Sequence, residues 1–159
     1  WENVVLTGRQ RLPLVTAGIV QADEARNYAE RVIERFAVKA SGAGQIAGSL
    51  SGGNLQKFIM GREILQEPRI LVVSQPTWGV DAGAAAAIHQ ALVDLAAGGT
   101  AIVLISQDLD ELLALADRIA VMNEGRLSEP MPVAGVSVER IGLLMGGVHG
   151  ETRQPAGAA

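Results

Sequence analysis

Two short apolar runs, Ile70-Leu71-Val72-Val73 and Ala101-Ile102-Val103-Leu104-Ile105, flank an alanine-rich stretch and are fenced by Pro68, Pro76 and Gly98-Gly99. No other feature constrains the fold as much. Apolar runs without polar alternation suit strands covered on both faces, as in a parallel sheet. Asp81 is placed to cap a helix over about 84–97, which Gly98-Gly99 would end. A strand, a helix and a second strand imply a parallel pair joined by a crossover. Asp108 with Glu111 has the pattern of a capping box for a helix over 109–116. Arg118–Met122 then reads as a third strand, turning at Glu124-Gly125. Strands at 70–74, 101–105 and 118–122 are thus expected as neighbours or near-neighbours in one parallel sheet. Residues 137–145 supply a short last helix.

The first part of the chain is helical. Ala25, Tyr28, Ala29, Val32, Ile33, Phe36 and Ala37 recur at helical spacing over 23–38, with Asp23 as the candidate N-cap. Residues 40–49 are small and glycine-rich, so they form a loop. Leu55, Phe58, Ile59 and Leu65 mark a helix over 51–66, which Ser51 can cap and Pro68 ends. Residues 1–22 carry at most a short helix followed by loop. The division this suggests is a helical subdomain over 1–66, an α/β core over 67–150 and a disordered Gly/Ala/Pro-rich tail over 151–159.

Composition excludes several classes. Lysine plus arginine number 13 and aspartate plus glutamate 17, a net charge of −4 with no basic cluster, which argues against a nucleic-acid partner. Cysteine is absent, which removes disulfides and thiolate metal sites. His89 and His149 are far apart and no acidic cluster completes a metal site. No apolar run reaches the roughly 18 residues of a membrane span.

The most specific stretch is Leu50-Ser51-Gly52-Gly53-Asn54-Leu55-Gln56-Lys57. Two glycines and a serine hydroxyl open a helix there. Helix N-termini present unpaired N–H groups and positive partial charge, which suit phosphate, and glycine permits close approach of the backbone. A plain serine N-cap after a flexible loop fits the same residues. The wider order adds information. The 70–73 strand runs into Gln75-Pro76-Thr77 and Gly79-Val80-Asp81, and the next strand into Ser106-Gln107-Asp108-Leu109-Asp110-Glu111.

This order resembles the ABC family of ATP-binding cassettes: signature motif, Walker B strand, D-loop and switch loop, over roughly residues 45–128. "LSGGNLQK" and "QPTWGVDAGA" look most like the second cassette of two-cassette ATPases that serve simple-sugar and nucleoside importers. The resemblance implies an α/β fold: a partial P-loop NTPase-type parallel sheet with flanking helices, plus a helical subdomain bearing the signature motif. It implies that Ser51, Gly52 and Gly53 contact the γ-phosphate of ATP held by a partner cassette, from the same chain or a dimer mate, with Asn54 and Asp81 in the same cofactor-binding group. Asp81 becomes the D-loop aspartate, with N-capping of the next helix as a compatible role. Gln107 takes the switch position, and transmembrane permease subunits become partners at the inner face of the plasma membrane.

The departures from the family pattern are equally informative. Ser74-Gln75 stands where the family has Asp-Glu, so Ser74 is a poor partner for Mg²⁺ and Gln75 cannot accept a proton. Gln107 replaces a histidine and is neutral. Lys39 precedes Ala40 and Lys57 precedes Phe58, so no lysine ends a Gly-x-x-x-x-Gly-Lys-Ser/Thr loop. The resemblance puts that loop and the Q-loop ahead of Trp1. ATP and Mg²⁺ are therefore expected in the longer protein and neither with this chain alone. The rival expectation is an ABC-like interaction scaffold with no nucleotide role.

Overall fold

The computed structural model of the chain describes residues 1–148, so the 151–159 tail lies outside the described residues. The chain forms two units, Trp1–Gln107 and a second beginning at Asp108. The boundary at 66/67 suggested by the sequence falls inside the first of them.

The first unit runs α1 (Glu2–Gly8), a small hairpin of β1 (Val15–Thr16) and β2 (Ile19–Val20), α2 (Ala22–Arg35), a turn of 3-10 helix at Ala47–Ser49, α3 (Gly52–Ile64), β3 (Ile70–Ser74), α4 (Ala82–Ala97) and β4 (Ala101–Ile105). Helix α2 buries Ala25, Tyr28, Ala29 and Val32, the i, i+3, i+4, i+7 set expected of one amphipathic face. Its N-cap is Gln21, not Asp23. Asp23 lies inside the first turn, where negative charge meets the helix dipole, and pairs with Arg26 at 3.7 Å. The helix stops three residues short of the expected 38. There the Ala37 N–H donates to the Glu34 carbonyl and the Val38 N–H to that of Ile33, with Ala37 at φ +47°. This is the paired closure of a Schellman motif, made here without glycine.

Helices α2 and α3 pack closely. The Tyr28 hydroxyl donates to the Arg62 carbonyl at 2.8 Å, and Gly61 lies against the Phe36 ring. Burial pushes the Tyr28 phenol up from 10.0 to about 12, opposed by the Arg31 guanidinium 5.1 Å above its ring. The protonated form is the one the fold favours. Tyr28 therefore contributes stability that is complete below about pH 10 and is lost as pH rises through about 12. As this is the single tyrosine of the chain, an ultraviolet titration of phenolate absorbance reads it alone. Its midpoint is expected well above that of the unfolded chain, and an ordinary midpoint in the folded protein would contradict the burial argument.

Strands β3 and β4 pair in parallel, from Ile70 opposite Ala101 to Ser74 opposite Ile105, with α4 as the crossover. The expectation of strands covered on both faces is corrected. Leu71 and Val73 are buried in one cluster with Ile88 and Leu92 of α4, whereas Ile70 and Val72 are 65% and 63% exposed. Within the described residues the pair has a covered face and an open one.

The second unit has α5 (Leu109–Leu115), β5 (Arg118–Ile119), β6 (Met122–Asn123), β7 (Arg126–Leu127), β8 (Met131–Pro132) and α6 (Val138–Met145). Asp108 caps α5 by accepting from the Glu111 N–H, and Ser137 caps α6. The third parallel strand expected over 118–122 is not formed. Its residues divide between β5, antiparallel to β8, and β6, antiparallel to β7. Glu124 and Gly125, at φ +46° and +76°, make the two-residue turn that folds the segment back on itself, so its backbone pairs locally. Ile119, Val121, Ile141 and Leu144 form the core of this unit.

Candidate functional site

The singled-out residues of the first unit gather at the start of α3 and at the carboxyl ends of β3 and β4. Ligands of open parallel α/β sheets bind beyond those strand ends.

Ser51 is the N-cap of α3 by position, but its side chain makes no cap hydrogen bond. Asp81, Asp108 and Ser137 do cap their helices with side-chain oxygens. Ser51 Oγ instead accepts from Asn54 Nδ2 at 2.9 Å, while Asn54 Oδ1 accepts from the Lys39 N–H at 2.8 Å. A backbone N–H can only donate, so it fixes the Asn54 amide with its nitrogen toward Ser51. The Ser51 hydroxyl proton is then directed away from Asn54 and can be donated outward. Ser51 and Gly52 are exposed. The plain-cap reading of Ser51 therefore does not describe its side chain.

The two glycines differ. A Cβ on Gly52 would meet nothing within 4 Å, so this face of the helix start is open. A Cβ on Gly53 would stand 3.0 Å from the Gly79 carbonyl oxygen and 3.6 Å from Val80 Cα. Gly53 is small because a neighbouring loop passes over it.

That loop carries Asp81. Asp81 Oδ1 accepts from the Ala84 N–H at 2.9 Å and so caps α4, while Oδ2 lies 4.0 Å from Lys57 Nζ on α3. The Ala84 hydrogen bond, aided by Lys57, holds the Asp81 carboxyl below the usual carboxylate range. Lys57 also donates to the Ala37 carbonyl at 3.4 Å.

Ser74 ends β3 and is exposed, and Gln75 follows in the left-handed region at φ +52°. The Gln75 N–H donates to the Ile105 carbonyl at 2.8 Å, continuing the sheet by one bond. Gln107 is exposed on the same edge, beyond β4, and no hydrogen bond among the described residues joins it to the start of α3. A hydroxyl and two neutral amides are a weak donor set for Mg²⁺, which prefers carboxylates, so Ser74, Gln75 and Gln107 do not fit a metal centre. Gln56 is a residue that sequence reasoning passed over. Its Nε2 reaches the carbonyls of Gln75 and Pro76 at 3.1 and 3.0 Å. A polar residue on the turn of α3 after Gly53 was its only signal.

No family model matches the chain. It is 45% identical over 137 residues to a glucose import ATP-binding protein of Haloferax volcanii, covering 85% of this chain and 25% of that protein. It is 38% identical over 146 residues to a nucleoside import ATP-binding protein of Lactococcus lactis subsp. cremoris, covering 92% of this chain and 29% of the relative. The chain thus spans about a quarter of the length of the curated relatives it matches. Among solved structures, an ATP-binding subunit of an ABC transporter superposes with a TM-score of 0.69 at 18% identity, over 91% of this chain and 61% of that one. A dimeric ATP-binding cassette bound to ADP and Pi superposes with a TM-score of 0.64 at 23% identity, over 76% of this chain and 52% of that one. These two likenesses establish the fold. With the curated matches and the ordered motifs between Leu50 and Glu111, they establish that the chain belongs to the ATP-binding cassettes of the ABC family, its relatives being import ATP-binding proteins.

Proposed function

We propose that the chain is part of the ATP-binding subunit of an importer for simple sugars or nucleosides, and that it completes an ATP site held by a partner cassette. The observation that carries this reading is the exposed Ser51, whose Oγ makes no cap bond to its own helix and accepts from Asn54 beside the open Gly52. Ser51 would donate its O–H to a terminal phosphate oxygen, and the first N–H groups of α3 would add theirs, aided by the helix dipole. Asn54 would hold Ser51 in that orientation. Asp81, kept anionic and fixed by Ala84 and Lys57, would face the partner. A cofactor of ATP with Mg²⁺ would supply the phosphate and its charge neutralisation from the partner's side.

The chain's own strand ends support a degenerate second site. Ser74, Gln75 and Gln107 provide no carboxylate base and no positive charge, and phosphoryl transfer relies on positioned charge. On this reading the subunit lies peripherally on the cytoplasmic face of the plasma membrane, against permease subunits. No helix among the described residues is long and apolar enough to cross a membrane.

The direct test is calorimetry of the chain with Mg²⁺ and ATP. No binding is expected in the micromolar range, since neither lysine closes a phosphate loop and Lys57 is engaged with Asp81 and the Ala37 carbonyl. Micromolar Mg²⁺-dependent binding would refute the degenerate-site reading. In the longer protein, the paired variants argued in the Discussion separate completion of a partner site from a scaffold without a nucleotide role.

A further inference from the structure

The start of α3 and the loop from Gln75 to Asp81 are joined at several points. Gln56 Nε2 donates to both the Gln75 and the Pro76 carbonyls, at 3.1 and 3.0 Å. Carbonyl oxygens only accept, so the amide nitrogen must face them and the orientation of Gln56 is fixed by chemistry. One helical turn earlier, Gly53 lies under the Gly79 carbonyl, and one residue later, Lys57 faces Asp81. Gln75 is the strained member of the loop, a non-glycine residue at φ +52°. Its N–H is held by the Ile105 carbonyl, and its carbonyl accepts from the Trp78 N–H at 3.2 Å as well as from Gln56. Such a conformation persists when its surroundings over-determine it.

We infer that Gln56 is a positioning residue that locks the left-handed turn at Gln75 to helix α3, so that the end of β3 and the start of α3 move as one body. Its functional meaning rests on the proposed reading: a phosphate docking at Ser51 and Gly52 would be sensed at Gln75 and Asp81 without any change within the sheet. Trp78, 81% exposed on this loop, would be carried with it.

The test uses amide hydrogen exchange in the full chain and needs no nucleotide, so the clamp and the ATP reading fail separately. Gln56→Met keeps side-chain length and helix propensity but removes both donors. Exchange at the Trp78 amide is expected to rise about tenfold, as for loss of one modest hydrogen bond, with Val32 and Ile88 in the core unchanged. Adding Gln75→Gly, which makes the left-handed turn comfortable, should restore much of the protection. Unchanged exchange at Trp78 would overturn the inference. An equal rise throughout the core would overturn it too, because Gln56 would then be general packing. Failure of Gln75→Gly to restore protection would show that the strained turn is not what Gln56 holds. Should Gln56→Met not fold, Gln56→Lys retains an ammonium able to donate to both carbonyls. That variant should keep Trp78 protected, and loss of protection in it would count against the clamp.

Discussion

Gly52→Asp, introduced into a protein that carries this chain opposite an intact partner cassette, is expected to lower ATP turnover by about 10²–10³-fold, the usual effect of losing one preorganised transition-state contact. Folding should not suffer. The new Cβ meets nothing within 4 Å, and an acidic residue in the first turn of α3 is favoured by the helix dipole. Stability and activity are therefore uncoupled: the melt stays level or rises while a carboxylate occupies the place proposed for phosphate. Gly53→Asp would be a poorer choice, since its Cβ at 3.0 Å from the Gly79 oxygen would shift the loop and confuse misfolding with loss of contact. The companion variant is Gln75→Ala, which should change turnover little, because on the proposed reading Gln75 lines a site without a base. The measurement is steady-state ATP turnover for both variants, with folding followed by thermal melt. Normal turnover in Gly52→Asp together with abolition in Gln75→Ala would reverse the assignment of the working site. If neither change matters, the chain acts as a scaffold.

Gly61→Ala should destabilise the chain by about 1–3 kcal/mol, the range for overpacking a filled interior. At an exposed helical site the same change would stabilise by about 0.5–1 kcal/mol through the lower entropy of the unfolded chain. The sign reverses here because the added carbon would lie 2.5 Å from Phe36 Cδ2 and 2.9 Å from Cε2 and Cγ. The Phe36 ring has little room to yield. It is buried, and its backbone sits in the turn that closes α2. Urea unfolding of Gly61→Ala, Phe36→Leu and the double variant measures this contact. The two changes should be non-additive, with Phe36→Leu removing most of the penalty of the alanine. A more stable Gly61→Ala would mean that α2 and α3 are not pressed together at this point.

Where periodicity and punctuation agree, the sequence was a good guide. Ala25 to Val32 declared the buried face of α2, Asp81 and Gly98-Gly99 bracketed α4, and the apolar runs located β3 and β4. Sheet partners were less legible. Arg118–Met122 has a strand's composition, but Glu124-Gly125 folds it back, and apolar character alone does not say which backbone a strand will pair with. The same limit explains the open face of β3: Ile70 and Val72 look buried in one dimension because side-chain type records affinity for an apolar cover, not its presence. At the candidate site, Ser51 and the paired glycines were conspicuous as a motif. Their division of labour was not, since Gly52 and Gly53 differ only in what passes above them. Gln56 escaped notice because its partners are backbone carbonyls some 20 residues away, which leave no mark in side-chain chemistry.

The closure of α2 bears on how this chain could drift in evolution or be improved by engineering. Helices α4 and α6 end with Gly99 and Gly147 in the left-handed position, at φ +96° and +83°. Helix α2 asks the same of Ala37, at φ +47°, and Glu67 is held at +47° just beyond α3. A β-carbon there is a handicap that the hydrogen bonds of the turn outweigh without removing. Both residues are exposed. Glycine at either site would relax the backbone, at Ala37 with the surface chemistry almost intact and at Glu67 with the loss of one exposed carboxylate. The helical half of the chain thus stays below the stability its own architecture allows, and glycine at either turn is a route to raise it.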